Sequence, residues 1–330
     1  MEGSGTMKTS PAGQASAPPR KRSALFWASV ACAAALMGVA LWMLAGNPAV
    51  LGGHPLLPGI LLAAAATGAG WAVLLWRRRD VPRPRARVRA IGAWAGRLAV
   101  LAVAAGLAWL NPFAYQPGPT AEAGPASDLT VSETSTAITM SPEGARTPRG
   151  LVFYPGARVD ARAYQDVLAP VVGAGYRVVI LKEPLGLSLL DGNQARSAIE
   201  DNPDITTWTV GGHSLGGVSA SSFALANTDI TGLVLYASYP VESLRGRTGL
   251  SVLSVSGTKD GLSTPDKIQA SRELLPPDTE FAAVQGGVHA FFGDYGDQPG
   301  DGKPGTSRST AQQQIGTATV SFLGQLPGGR

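Results

Sequence analysis

Three long apolar segments fill the first third of the 330-residue chain. Residues 24–46 and 56–76 contain no charged side chain, and residues 91–110 contain one, Arg97. Since about 20 apolar residues cross the hydrocarbon core of a bilayer, each segment predicts a transmembrane helix. Arg97 lies near the basic end of its segment, from where its long side chain can extend to the membrane interface.

Shorter apolar runs alternate with amphipathic segments from residue 127 onward. They predict a leading strand or hairpin and six further strands, at 129–138, 151–154, 177–181, 206–210, 230–236, 250–256 and 280–284. Helices are predicted between them and after the last strand, at 160–173, 193–200, 214–225, 265–275 and 309–323. Strands that alternate with helices in this way are typical of an α/β fold with a mostly parallel sheet.

The same patterns divide the chain into four regions. Residues 1–22 are polar and rich in small residues, and they predict a disordered basic tail ahead of a membrane region at 23–110. Residues 111–126 contain four prolines and two glycines, and they predict a stiff linker that carries the chain away from the bilayer. The remainder, 127–330, is long enough to enclose one complete hydrophobic core.

Charge separates these regions and predicts their orientation. Residues 1–110 carry a net charge of +10 and residues 111–330 carry −6, which argues against a nucleic-acid partner for the larger part. Basic residues precede the first apolar segment, and residues 77–89 hold seven arginines and one aspartate. The positive-inside rule therefore predicts a cytoplasmic N-terminus and an extracytoplasmic α/β domain at the plasma membrane. The alternative is that the first segment is a cleaved signal peptide.

Potential metal ligands are scarce. The chain has one cysteine and three histidines, which excludes an intramolecular disulfide and a cysteine- or histidine-rich metal centre. The acidic loop at 293–302 contains Asp294, Asp297 and Asp301 but lacks the ligand order of an EF-hand calcium loop. We therefore predict neither a metal nor a cofactor, and we interpret this loop as a support for a neighbouring site.

The candidate chemistry lies in the glycine-rich segment GGHSLGG at 211–217. Gly212, Ser214 and Gly216 have the G-x-S-x-G spacing and stand between a predicted strand and a helix of small residues. That context is typical of a nucleophile elbow, a sharp turn that exposes a serine at the N-terminus of a helix. Ser214 is therefore the predicted nucleophile, and an idle serine in a glycine-rich turn is the alternative.

A serine nucleophile needs a base and an acid that orients the base. In this arrangement the chain order is nucleophile, acid, histidine. His289 is the histidine that follows Ser214 in the sequence, in a loop after the last predicted strand, and it is the predicted base. Asp260 is the first carboxylate after the preceding predicted strand and is the predicted acid, with Asp266 and Asp294 as the alternatives.

Two backbone N–H groups are needed to bind the oxyanion of an acyl-transfer intermediate. One predicted donor is the backbone N–H of Leu215, the residue directly after the nucleophile. The second predicted donor lies in the loop after the first buried strand. Pro155 in that loop has no N–H, so the predicted donor is the backbone N–H of Ala157. Only residues 237–249 separate two neighbouring strands, too few for a helical lid, so the site is predicted to be open. The residues predicted to contact substrate are Tyr154, Gly156, His213, Tyr239 and Phe291.

Residues 127–330 resemble the α/β-hydrolases, and within them the small bacterial group related to dienelactone hydrolases. The resemblance is carried by FYPG at 153–156, GHSLGG at 212–217, GTKD at 257–260 and HAFFGDYG at 289–296. It implies a triad of Ser214, Asp260 and His289 and the hydrolysis of ester-like bonds. The sequence departs from many members at Pro155, where they carry histidine. Residues 1–126 take no part in the resemblance.

These features together predict a membrane-anchored serine hydrolase of the carboxylesterase type. Its substrate is expected to be a small-molecule or lipid ester, thioester or lactone, and its other partner is the lipid bilayer. Two alternatives remain open: an acyltransferase that acts on a cell-envelope acceptor, and a non-catalytic, membrane-tethered binding module on a hydrolase fold.

Overall fold

The computed structural model describes residues 22–78, 87–118, 129–144 and 146–326. Its N-terminal part consists of four helices: α1 (Ala24–Gly46), α2 (Pro48–Gly52), α3 (Leu56–Arg78) and α4 (Arg87–Trp109). Of the described helices, α1, α3 and α4 are long and apolar enough to cross a membrane. The three predicted segments are thus confirmed as long apolar helices. The predicted tail before Arg22 and residues 79–86 of the arginine-rich loop lie outside the described residues.

Small residues and one arginine hold the membrane helices together. A Cβ atom on Gly68 of α3 would lie 2.8 Å from the carbonyl oxygen of Ala33 in α1, so glycine permits this close approach. The Arg97 guanidinium of α4 donates to Ser29 Oγ at 2.7 and 3.0 Å and to the Leu25 carbonyl at 3.3 Å. Leu25 and Ser29 lie in the first two turns of α1, so Arg97 points toward the membrane end that the sequence predicted.

Eight strands form one sheet in the described part of the α/β domain, in the spatial order β1-β2-β4-β3-β5-β6-β7-β8. The strands are β1 (Leu129–Glu133), β2 (Ala137–Pro142), β3 (Arg149–Tyr154), β4 (Arg177–Leu181), β5 (Thr207–His213), β6 (Gly232–Tyr236), β7 (Ser251–Gly257) and β8 (Glu280–Val284). The hairpin β1–β2 pairs antiparallel with β4, and the pairs from β4 to β8 are all parallel. The mostly parallel α/β fold is therefore confirmed.

Helices cover both faces of this sheet. They are α5 (Gln165–Gly173), α6 (Gln194–Glu200), α7 (Leu215–Ala226), α8 (Pro265–Ser271) and α9 (Arg308–Gln325). In the central strand β3, Leu151 and Phe153 face the core under α5 and α9, while Val152 and Tyr154 face the core under α6 and α7. Burial on both faces explains why these strands are continuous apolar runs rather than alternating patterns.

Two boundaries differ from the sequence prediction in a way that affects the site. The strand predicted to end at Val210 continues through Gly211 and Gly212 to His213, because these residues pair with Val234–Tyr236 of β6. The predicted helix at 160–173 begins instead as a short 3₁₀ turn and becomes α5 at Gln165. Strand β5 therefore ends at the residue directly before Ser214.

The described half of the predicted linker packs against the α/β domain. Phe113 N donates to the Arg158 carbonyl at 2.7 Å, and Asp160 N donates to the Phe113 carbonyl at 3.0 Å. Gln116 N donates to the Asp294 carbonyl at 2.8 Å. Residues 111–118 are therefore held against the α/β domain by backbone hydrogen bonds. Residues 119–126 lie outside the described range, and the linker stays a prediction.

Candidate active site

Ser214 occupies a strained turn between β5 and α7. Its backbone has φ 53° and ψ −120°, in a region that side-chain-bearing residues rarely adopt. Ser214 N donates to the Tyr236 carbonyl at 3.0 Å, and Ser238 Oγ donates to the Ser214 carbonyl at 2.7 Å. A Cβ atom on Gly212 would lie 2.4 Å from the carbonyl carbon of Gly216, so the turn closes only with glycine there. This is the strand–turn–helix geometry that the G-x-S-x-G spacing predicted.

His289 and Asp260 form a buried hydrogen-bonded pair. His289 Nδ1 lies 2.9 Å from Asp260 Oδ2, and the two residues are only 1% and 3% exposed. The other carboxylate oxygen accepts from Leu262 N at 2.8 Å and from Ser263 N at 2.7 Å. Because an ionised carboxylate can only accept, Nδ1 donates, and Nε2 of a neutral ring is left with its lone pair.

The two alternative acids lie elsewhere. Asp266 is exposed in the first turn of α8. Asp294 accepts from Gln312 Nε2 at 2.9 Å and pairs with Arg308 at 3.6 Å. Of the three candidate carboxylates, only Asp260 is hydrogen-bonded to the His289 ring.

Asp301 joins the loop of Asp260 to the loop of His289. Its carboxylate accepts from the backbone N–H groups of Gly261 at 3.1 Å, His289 at 3.1 Å and Ala290 at 2.8 Å. The sequence predicted a supporting role for the acidic loop at 293–302 but did not single out this residue. No local pattern identifies this role, because the three amides that it joins are 11 to 40 residues away in the chain.

The base packs against the residue that precedes the serine. The His289 ring lies 4.6 Å, centre to centre, from the ring of His213, the residue that precedes Ser214. Within the described residues, neither Ser214 Oγ nor the buried His289 Nε2 has a hydrogen-bond partner. In substrate-free enzymes such bonds are often long and shorten in the complex with substrate.

Both predicted oxyanion donors are free in the described part of the chain. Leu215 N is the first amide of α7, and neither it nor Ala157 N donates a hydrogen bond there. The loop of Ala157 lies directly against the start of α7, since a Cβ atom on Gly216 would lie 2.2 Å from the Pro155 carbonyl oxygen. The positive end of the α7 dipole points toward the same region.

His213 supports the turn from inside the protein. The Tyr164 hydroxyl accepts from Gly156 N at 2.8 Å and shares a hydrogen bond of 2.9 Å with His213 Nδ1. Burial holds the pKa of His213 well below its usual value. Charge on the His289 ring lowers it further, and a contact with the His289 backbone acts in the opposite direction. A neutral, buried His213 braces the loop of Gly156 through Tyr164, a residue that the sequence reasoning did not single out.

Two of the predicted substrate contacts, Tyr154 and His213, lie in the protein interior. Tyr154 is fully buried, and its hydroxyl donates to the Gly192 carbonyl at 2.8 Å and accepts from Ala195 N at 3.3 Å. Tyr154 is a core residue on the α6 side of the sheet, and His213 is also buried, against Tyr164 and His289. Phe291 is 8% exposed and Tyr239 is half-buried, so these two predictions remain open.

Glu183 is a buried carboxyl group that the sequence reasoning missed. It follows β4, and neither of its carboxylate oxygens has a hydrogen-bond partner among the described residues. Burial raises the pKa of Glu183 well above its usual value. The group lines a small cavity of about 40 Å³ together with Pro155, Arg158 and Gly186. Its place two residues after the end of a buried strand was the signal available in the sequence.

Comparison with known proteins decides the family. A family model described as the alpha/beta hydrolase family matches residues 150–314, which is half of the chain and includes Ser214, Asp260 and His289. The chain belongs to the alpha/beta hydrolase family. This membership supports a hydrolase and agrees with the order of the sheet.

Comparison with solved structures finds many matches. The chain matches the crystal structure of a dienelactone hydrolase-like promiscuous phosphotriesterase from metagenomic libraries, with 17% sequence identity and a TM-score of 0.46. The match covers 61% of this chain and 100% of that chain. The search among curated proteins found no match.

Acid is expected to destabilise this hydrolase through His213. Because burial keeps the pKa of His213 low in the folded protein, the unfolded chain takes up a proton that the folded chain does not. The contribution of His213 to the free energy of unfolding is therefore complete above about pH 6.5 and declines as the pH falls below that value. The measurement is the loss of thermal midpoint between about pH 7.5 and about pH 5, for the wild type and for His213→Gln.

The His213→Gln variant is the control because its side chain does not titrate. Other groups with shifted pKa values, Glu183 among them, are common to both proteins and cancel in the comparison. We expect the wild type to lose more stability in acid than the variant. An equal loss in both proteins would show that His213 is not a neutral buried group.

Proposed function

We propose that the protein is a membrane-anchored serine hydrolase that cleaves ester, thioester or lactone bonds. Ser214 is the nucleophile, His289 the general base and Asp260 the acid that orients the base. The proposal is carried by the buried 2.9 Å pair of Asp260 and His289. The His289 ring packs against His213, and the next residue, Ser214, has the strained conformation of a nucleophile elbow. Membership of the alpha/beta hydrolase family supports the hydrolytic chemistry.

The reaction proceeds through an acyl-enzyme. As Ser214 Oγ attacks the acyl carbonyl, its proton moves to His289 Nε2, and Asp260 stabilises the imidazolium that forms. The imidazolium then gives the proton to the leaving alcohol, thiol or ring oxygen as the acyl–oxygen or acyl–sulfur bond breaks. In the second half, His289 takes a proton from water, whose oxygen attacks the acyl group, and Ser214 recovers its proton as the acid leaves.

The negative charge of each tetrahedral intermediate develops on the former carbonyl oxygen. We assign its stabilisation to the N–H groups of Leu215 and Ala157, which have no competing acceptor within the described residues. Donors that are fixed before the reaction cost no reorganisation when the charge appears. The N-terminus of α7 adds the positive end of its dipole.

The membrane helices are proposed to anchor the enzyme with its catalytic domain outside the cytoplasm. The three candidate spans support insertion, and the seven arginines at 77–89 support a cytoplasmic loop between the second and third helices. An odd number of spans places the two ends of the chain on opposite sides of the bilayer.

Substitution of the triad tests the catalytic assignment on p-nitrophenyl esters from acetate to palmitate, with the full-length protein in detergent. Ser214→Ala is expected to abolish turnover, and Asp260→Asn is expected to lower kcat by about 10⁴-fold. Ser222→Ala in the same helix and Asp266→Asn are the matched controls and should retain wild-type rates. Unchanged thermal midpoints would show that the variants fold.

Two outcomes would contradict the assignment. Retained turnover in Ser214→Ala would show that Ser214 is not the nucleophile. A mild effect of Asp260→Asn with a strong effect of Asp266→Asn would assign the role of the acid to Asp266 instead of Asp260. The dependence on chain length identifies the substrate class, because rates that fall with length indicate small esters and rates that rise indicate membrane lipids.

Protease accessibility tests the proposed orientation. A tag placed after Arg330 is expected to be removed by protease added to intact cells whose plasma membrane is exposed, whereas a tag placed before Met1 is expected to be protected. The N-terminal tag serves as the internal control, because detergent should make it accessible. Protection of the C-terminal tag in intact cells would overturn the orientation.

A further inference from the structure

We propose that the C-terminal end of α4 and the segment after it position the oxyanion donor Ala157, so that the membrane region is part of the catalytic site and not only its anchor. We call residues 155–158 the oxyanion loop and residues 109–116 the junction segment. The proposal rests on the serine-hydrolase function proposed above, and it assigns a positioning role to Trp109, Phe113 and Arg158.

Side chains clamp the oxyanion loop to the end of α4. The Arg158 guanidinium lies 4.3 Å from the centre of the Trp109 ring and 5.1 Å from the centre of the Phe113 ring. It also donates a hydrogen bond to the Trp109 carbonyl, one of the last carbonyls of α4. A cation between two aromatic faces, with its N–H directed at a helix C-terminus, combines two favourable interactions in one side chain.

Backbone hydrogen bonds hold the same loop from its other side. Phe113 N donates to the Arg158 carbonyl at 2.7 Å, and Asp160 N donates to the Phe113 carbonyl at 3.0 Å. Phe113 thereby forms a parallel bridge with Val159. The chain immediately after Ala157 is thus paired with a strand-like segment that emerges from the membrane helix.

The backbone of Arg158 requires such support. Its φ is 60°, a left-handed conformation that is uncommon for residues other than glycine and that persists where the surroundings determine it. Arg158 N also donates to the Gly186 carbonyl at 2.6 Å. Because Arg158 directly follows Ala157, the contacts that fix the backbone of Arg158 also fix the peptide plane next to the proposed oxyanion donor.

The junction segment reaches the other catalytic loop as well. Gln116 N donates to the carbonyl of Asp294, five residues after His289. At its membrane end, Asn47 Nδ2 donates to Asn111 Oδ1 at 2.9 Å and to the Pro112 carbonyl at 2.8 Å. One segment therefore connects the turn between α1 and α2, the oxyanion loop and the loop that follows the base.

Loss of the contacts between Arg158 and Trp109 is expected to change the kinetic constants in a specific way. An oxyanion donor acts on charge that exists in the transition state and not in the bound substrate. Misplacing Ala157 should therefore lower kcat and kcat/KM together while leaving KM nearly unchanged. A contact that only shapes the substrate pocket would change KM instead. A contact that only holds the fold would lower the thermal midpoint, which is measured for each variant.

The test uses the full-length protein in detergent with p-nitrophenyl butyrate. Trp109→Ala is expected to lower kcat about tenfold, a smaller loss than the 10²- to 10³-fold that follows removal of a whole oxyanion donor. Trp109→Phe keeps an aromatic face under Arg158 and should recover most of the rate. Trp94→Ala is the matched control, because Trp94 lies in the same helix and is 44% exposed.

A second variant covers the case in which Trp109→Ala does not fold. Arg158→Met removes the cation and its bond to the Trp109 carbonyl, and it should show the same fall in kcat with KM unchanged. Wild-type kcat in a folded Trp109→Ala or Arg158→Met protein would overturn the proposal, and so would an increase in KM alone. Ser214→Ala measured in parallel reports separately on the serine mechanism, whose failure would remove both proposals.

Discussion

The whole site depends on a backbone turn that is stable only because glycines let neighbouring chains approach it closely. At Ser214 the strand β5 must reverse into α7 within one residue at φ 53°. Gly212 and Gly216 face each other at a distance that no side chain would permit, and Gly216 also meets the Pro155 carbonyl. The turn thus fixes three things together: the exposed serine, the N-terminus of α7 and the position of the loop that carries Ala157.

The buried ionisable groups around this turn differ in how their charge is stabilised. Asp260 is buried but has its oxygens satisfied by His289 and by two backbone amides, so its negative charge is directed at one ring nitrogen. His213 and Glu183 are also buried, but their pKa values are shifted toward the neutral forms. The proposed imidazolium would therefore form against the Asp260 carboxylate, in surroundings where electrostatic interactions are strong.

Most of the architecture could be predicted from local patterns, because each pattern reports on burial close in sequence. The strands at 177–181 and 280–284 have the predicted bounds, since a charged residue or a turn ends each apolar run. The chain order of Ser214, Asp260 and His289 predicted side chains that the fold brings to one edge of the sheet. Tyr164 and Asp301 were missed because their partners are distant in the chain. The pairing of the junction segment with Arg158 was not predicted, because backbone hydrogen bonds between distant residues leave no mark in composition.

Mapping the residue that a fluorophosphonate modifies in the full-length protein tests the central claim most directly. The reagent forms a covalent adduct with a serine that is activated by a base and faces an oxyanion site, so it reports on the nucleophile without knowledge of the substrate. The account predicts one adduct in the peptide that contains Ser214, absent from heat-unfolded protein and from Ser214→Ala. An adduct on another serine, or none in folded protein, would contradict it.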